Sequence, residues 1–314
     1  MSRVVCIGGA CIDRKYHAQA EAQFGTSNPV RVRRTLGGVA RNVAENLARL
    51  GVRVSLFSAA GVDENGLALL EHAKRAGIDV TLMIRDSQYV TPEYGAVLAP
   101  AGELVIGMAD MGAVESIRPG DVEKRWNDIA QSDWLFVDCN VSGEVLAWCI
   151  AHARAANVKL AIDAVSEPKV RRLPQDLRGV DLLVLNEKEA AVYLHEDIEL
   201  FRKRTPLERA HAVRSCGAGA VILTRGVQGL VVSSQEQAEL PALRAACVDE
   251  TGAGDALIAA VIYRLTQGDS LLEAARTGSL CAGLTVESRA SVRPDLTAAM
   301  LESNKHRLEA CTAS

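Results

Sequence analysis

The feature that most constrains this chain is a rhythm: short, nearly uninterrupted apolar runs separated by segments of helical periodicity. "RVVCIGG", "VRVSLFSA", "DWLFVDC", "VKLAIDA", "VDLLVLN" and "AGAVILTRG" have strand length and are apolar on both faces. Among the intervening segments, "VARNVAENLARLG" sets Val39, Val43, Leu47 and Leu50 on one helical face and closes at Gly51. "ENGLALLEHAKRAG", "EVLAWCIAHARAAN" and "LERAHAVRSCG" also read as helices, and three more finish the chain. Strands that are apolar on both faces need cover on both, and crossover helices provide it for parallel strands. The rhythm predicts an α/β fold, a mostly parallel sheet between two layers of helices.

Two stretches break the rhythm. "PVRVRRTL" (29–36) alternates polar and apolar residues, and "PEYGAVLAPAGELVIGMADMG" (92–112) reads as two strands joined at Pro-Ala-Gly. Either they form a small antiparallel sheet beside the main one, placed like a lid near the glycine motifs, or they are surface hairpins without a role. No repeat, low-complexity segment or linker divides the 314 residues, which are enough for one large α/β domain.

Composition narrows the function. A net charge of −4 with 4% aromatic residues argues against a nucleic-acid surface. No apolar run approaches a membrane span, and the apolar part of "MSRVVCIGGACID" is too short for a signal peptide. The eight cysteines form no C-x-x-C pair and no metal-like cluster with the six histidines, so Cys6 and Cys11 read as small buried or loop residues. The expectation is a reduced, soluble, cytoplasmic protein. The P-loop pattern G-x-x-x-x-G-K-[ST], a complete G-x-G-x-x-G, G-x-S-x-G and H-E-x-x-H are all absent.

Five constellations remain. "GGVARN" (37–42) places paired glycines before a helix, with Asn42 one turn in; it could admit a ligand to the backbone or be a plain loop-to-helix turn. "CID" (11–13) follows the first strand, where Asp13 could hold two adjacent hydroxyls or satisfy its own turn. In "LNEKEAAVYL" (185–194), Asn186 and Glu189 lie three apart; they suit Mg²⁺ held mostly through waters, and equally an N-capped helix. In "LTRGVQGLVV" (223–232), Thr224, Gly226 and Gly229 make a tight turn that could touch phosphates or be an ordinary hairpin.

The fifth is the most specific. In "DETGAGDALIAAVIYRL" (249–265), Gly252, Ala253 and Gly254 can present N–H groups to an oxyanion, with Asp255 in the first helical turn. Phosphoryl transfer to a hydroxyl needs donors for the transferred group and a carboxylate for the alcohol's proton. The carboxylate should then face the nucleophile, not the phosphate.

"GGVARN" and "DETGAGD" resemble the two signatures of the ribokinase-like (PfkB-type) carbohydrate kinases, and the order of elements fits along nearly the whole chain. The resemblance implies a single kinase domain over 1–314, a three-layer α/β/α sandwich with a small antiparallel β-sheet lid from approximately 14–36 and 92–112. It implies Asp255 as catalytic base and the 252–254 amides as anion hole. Asn186 and Glu189 would orient Mg²⁺ and its waters, and Thr224, Gly226, Gly229 and Ser279 would contact ATP. Asp13, Gly37, Gly38, Asn42 and Asn140 would hold the substrate. Many members bind a monovalent cation such as K⁺, matched here by Asp249 and Thr251 with the loop 286–294, and many dimerise through the lid. One departure is Glu250, where the family usually has a small residue.

Within the family the chain looks closest to pseudouridine kinases, on "TSNPVRV" (26–32), the arginine of "GGVARN", "ADM" (109–111), "VDCNVS" (137–142) and "IDAVSEPKV" (162–170). That likeness brings Ser27, Asn28 and Lys169 toward a uracil base, whose carbonyls and N–H groups a hydroxyl and an ammonium can read. The implied reaction is ATP-dependent phosphorylation of the pseudouridine 5′-hydroxyl. Kinases for another nucleoside or for ribose, and a catalytically silent nucleoside sensor, are the rival readings.

Overall fold

A computed structural model describes residues 2–308 of the protein. Its central sheet has eight strands, in the order Gln237–Leu240, Leu230–Ser233, Ala220–Thr224, Leu182–Asn186, Lys159–Asp163, Trp134–Asp138, Arg3–Ile7 and Arg53–Phe57. The strands from Ala220–Thr224 to Arg53–Phe57 run parallel, and the other two extend that edge as antiparallel neighbours.

Successive side chains of each strand enter opposite cores. Val5, Ile7, Leu135, Val137 and Ile162 face one, against Val145, Leu146 and Cys149 of the helix Gly143–Ala156. Val4, Cys6, Phe136, Ala161 and Ile222 face the other, against Val43 and Leu47 of the helix Val39–Arg49 and Ile258, Val261 and Ile262 of the helix Ala253–Thr266. This is the sandwich that the rhythm of apolar runs predicts. Cys6 and Cys11 are buried free thiols. No helix among the described residues is long and apolar enough to cross a membrane.

The irregular stretches form a second sheet, in the order Val30–Gly37, Cys11–Ala18, Glu93–Leu98 and Leu104–Asp110. Two antiparallel hairpins lie side by side, joined by one parallel pairing of Cys11–Ala18 with Glu93–Leu98. This sheet starts at Cys11 rather than at 14. Asp13 therefore sits on one of its strands, paired with Thr35 and Tyr94, and not in a loop after the first strand.

Candidate active site

The parallel strands deliver Asp138, Asp163, Asn186 and Thr224 to one edge of the sheet, the edge where open α/β sheets receive ligands. The helices Val39–Arg49 and Ala253–Thr266 both begin there. Asp138 organises the centre: fully buried, it accepts hydrogen bonds from the N–H groups of Gly9 (2.9 Å), Ala40 (2.8 Å) and Asn140 (2.8 Å). Burial pushes its pKa up, and these donors only partly offset that. Sequence reading passed over Asp138, although an acid closing an apolar strand was a usable signal.

Gly38 caps the helix Val39–Arg49 with φ of +92°, and a side chain there would collide with the Gly9 carbonyl. A side chain on Gly37 would collide with the Asp13 carboxyl. Gly38 is thus required by close backbone approach, and Gly37 by the Asp13 side chain packed against it. Arg41 is buried and donates to the carbonyls of Gly37 (3.2 Å) and Leu36 (2.6 Å), to Glu45, and to Oδ1 of Asn42. An arginine only donates, so Asn42 turns its oxygen to Arg41 and its amide nitrogen outward. That nitrogen donates to Oδ2 of Asp255 at 2.6 Å.

Asp255 lies in the first turn of its helix, behind Gly252 at φ of +86°. Among the described residues, the N–H groups of Gly252, Gly254 and Asp255 meet no acceptor, as expected at a helix start, whereas that of Ala253 lies 3.3 Å from the Glu250 carbonyl. The amides left open to an incoming acceptor are accordingly those of 252, 254 and 255, with Ala253 partly diverted. Burial raises the Asp255 pKa to about 7, with Asp138 and Asp13 adding to the rise and Asn42 and Arg41 opposing it. A carboxylate so placed can accept a proton near neutrality, beside free donors for an oxyanion.

Asp13 is buried, accepts from the Cys11 thiol at 3.3 Å, and has its pKa raised, chiefly by burial. Lys169 is half-buried and donates to the buried Asn140; burial lowers its pKa. It is not a solvated surface lysine. Arg172 holds the same loop through the carbonyls of Cys139 (3.2 Å), Asn140 (2.6 Å) and Val141 (3.3 Å), a role without a sequence signal. Ser27 and Asn28 lie apart from this group. Their loop joins Ala18 to Val30, at the opposite end of the hairpin from the Cys11–Gly37 pairing. The Asn28 side chain is taken up by Gln23 and Thr26 of its own turn.

Asn186 and Glu189 form a reciprocal capping box, with the Asn186 N–H on Glu189 (2.8 Å) and the Glu189 N–H on Asn186 (3.0 Å). The structure thus realises the capping alternative. Nearby Asp163, which sequence reading did not single out, has its pKa pushed well up by burial and by the negative charges of Glu189, Asp255 and Asp138. Hard carboxylate oxygens with unbalanced charge fit Mg²⁺, although no group of three such side chains among the described residues forms a direct ligand set.

The hairpin around 224–229 is present. Gly226 is exposed at its turn, and Thr224 makes only a long contact of 3.5 Å with the Leu185 carbonyl. A side chain on Gly229 would collide with the Leu240 carbonyl, and the Ser279 hydroxyl is bonded to the Pro241 carbonyl at 2.9 Å. Asp249 and Thr251 receive the ammonium of Lys15, at 2.7 and 2.8 Å.

The profile of the pfkB family carbohydrate kinases matches residues 1–298. The chain is 29% identical over 298 residues to the pseudouridine kinase of Escherichia coli, covering 94% of each protein. A carbohydrate kinase from Agrobacterium tumefaciens superimposes with a TM-score of 0.85 at 31% identity over 98% of both chains. The Arabidopsis thaliana ribokinase, solved with ribose and ATP, shares the fold with a TM-score of 0.81 at 20% identity over 98% of both chains.

Proposed function

The chain belongs to the pfkB family of carbohydrate kinases, and from that premise we propose that it transfers the γ-phosphoryl group of ATP to the 5′-hydroxyl of pseudouridine. The observation that carries the phosphotransfer reading is the Asn42–Asp255 bond of 2.6 Å at a helix start where, among the described residues, the amides of Gly252, Gly254 and Asp255 meet no acceptor. Asp255 takes the hydroxyl proton while the alcohol oxygen forms its bond to the γ-phosphorus and the bond to ADP breaks. The N–H groups of Gly252 and Gly254 hold the transferred oxygens. Glu189 and Asp163 would hold magnesium with the nucleotide, and the ion would supply charge neutralisation of the phosphates. Thr224 and Gly226 face the nucleotide, and Asp13 and Asn42 hold the ribose portion. The small sheet closes over the sugar as a lid and excludes water, which limits ATP hydrolysis. Its edge strand Leu104–Asp110 pairs the lid with that of a second copy.

Pseudouridine is favoured over other acceptors by the relative at 29% identity and by Lys169 and Asn140, which form a polar pair near Cys11, the partner of Asp13, suited to a base rather than to a bare sugar. The test is a panel of pseudouridine, uridine, adenosine, inosine and ribose with ATP and Mg²⁺, products identified by mass. Pseudouridine 5′-phosphate and ADP are expected. Preferred turnover of ribose would overturn the substrate assignment, and binding without turnover would make the protein a sensor.

A further inference from the structure

We propose that Lys15 of the lid strand Cys11–Ala18 supplies, as a tethered ammonium, the positive charge that the loop before the anion-binding amides requires, so that this kinase works without a free monovalent metal ion. The inference rests on the kinase reading, but its central observation does not. Lys15 Nζ donates to Oδ2 of Asp249 at 2.7 Å and to the hydroxyl of Thr251 at 2.8 Å. Both side-chain oxygens expected to ligate a K⁺-like ion are therefore already held by a cation of the same charge.

Two further oxygens of this region are also engaged. The remaining Asp249 oxygen, Oδ1, accepts from the Thr251 N–H at 3.0 Å. The Val286 carbonyl, at the start of the loop expected to complete the ion's shell, accepts from the N–H groups of both Val248 (2.8 Å) and Asp249 (3.2 Å), which uses both of its lone pairs. The side chains of Lys15 and Asp249 are only 18% and 22% exposed, leaving little room for a hydrated ion between them. The residues present do not fit a resident K⁺.

The placement has a mechanical consequence. Thr251 directly precedes the amides of Gly252 and Gly254, and Lys15 rides on a strand that also carries Asp13. The ammonium therefore ties the lid to the anion-binding turn, a positioning role in which the charge arrives and departs with the lid.

The test compares the wild-type chain with Lys15→Met and Lys15→Arg in tetramethylammonium buffer, with and without added KCl. Two readouts are taken: thermal melting of the apo protein and turnover of the best nucleoside. The wild type and Lys15→Arg should show neither a melting shift nor a rate change specific to K⁺. Lys15→Met should lose turnover in tetramethylammonium, regain it with K⁺, and melt higher as K⁺ is added. A wild type stabilised or activated by K⁺ but not by tetramethylammonium overturns the proposal, whether or not Lys15→Met folds. A folded Lys15→Met indifferent to K⁺ in both readouts overturns it as well. If the wild type phosphorylates no acceptor, the kinase reading fails while the melting comparison still decides the role of Lys15.

Discussion

The amide nitrogen of Asn42 and the carboxyl of Asp255 meet across 2.6 Å, although they stand 213 positions apart in the chain. The bond joins the starts of two helices that flank the same sheet edge. It also fixes which way Asp255 points, because Oδ2 is held by Asn42. If Asp255 is the base, Asp255→Asn should lower turnover by at least about 10²-fold. Nucleoside affinity, measured by calorimetry, should change little. Unchanged turnover would remove Asp255 from the base role.

The pKa of Asp255, raised to about 7, sets the pH dependence. The base must be ionised to accept a proton, so kcat/KM is complete above this value and is lost as pH falls through it, by about tenfold per unit. Asn42 donates to the charged form and thereby lowers the pKa. Asn42→Ala should move the acid limb of the profile to higher pH, and a limb that stays in place would detach it from Asp255.

Much of this architecture was legible because its signals are local. Apolar runs such as "DWLFVDC" and "VDLLVLN" carry the sheet, and "GGVARN" and "GAGD" mark two helix starts at its active edge. The strand Cys11–Ala18 was not legible, since "CIDRKYHA" shows neither an apolar run nor a clean alternation. Short helices such as Gly112–Glu115 and Glu167–Val170 span too few turns to show a period. Within the site, Asn186 and Glu189 show how one spacing serves both a capping box and a metal pair, so sequence left both open. The Lys15–Asp249 contact had no signal, because the partners stand 234 positions apart and meet only once the lid is folded onto the sandwich.

The two glycines of the turn proposed to bind the phosphate should respond differently to alanine. At Gly252 the backbone is left-handed and a side chain would collide with the Ser291 carbonyl, so Gly252→Ala should cost about 1–3 kcal/mol of stability. At Gly254 a Cβ meets open space, so Gly254→Ala should fold normally and chiefly raise KM for ATP by crowding the phosphate. Denaturant melts and initial rates separate the effects. Equal destabilisation by both would show that Gly254 faces packed protein.

The lid edge predicts assembly. Leu104, Val105, Ile106 and Met108 are all exposed on the strand Leu104–Asp110, which has a neighbour on one side only. Such an edge invites pairing with another chain. The wild type should be dimeric by light scattering, and Ile106→Lys should shift it toward monomer without lowering its melting temperature. A monomeric wild type would assign these side chains another partner.

Lys169 tests the choice of acceptor. Its ammonium is bonded to Asn140 and partly desolvated, and in the proposed reading it contacts the base. A hydrogen bond from a charged donor contributes about 1.5–3 kcal/mol, so Lys169→Met should reduce kcat/KM for pseudouridine by roughly 10- to 100-fold. Ribose has no base to read, and its slower turnover should be nearly unaffected by the same change. A parallel loss for both acceptors would mean that Lys169 supports the Asn140 loop as a whole. Loss confined to the nucleoside would place the ammonium on the base, because only a contact that ribose cannot make distinguishes the two substrates.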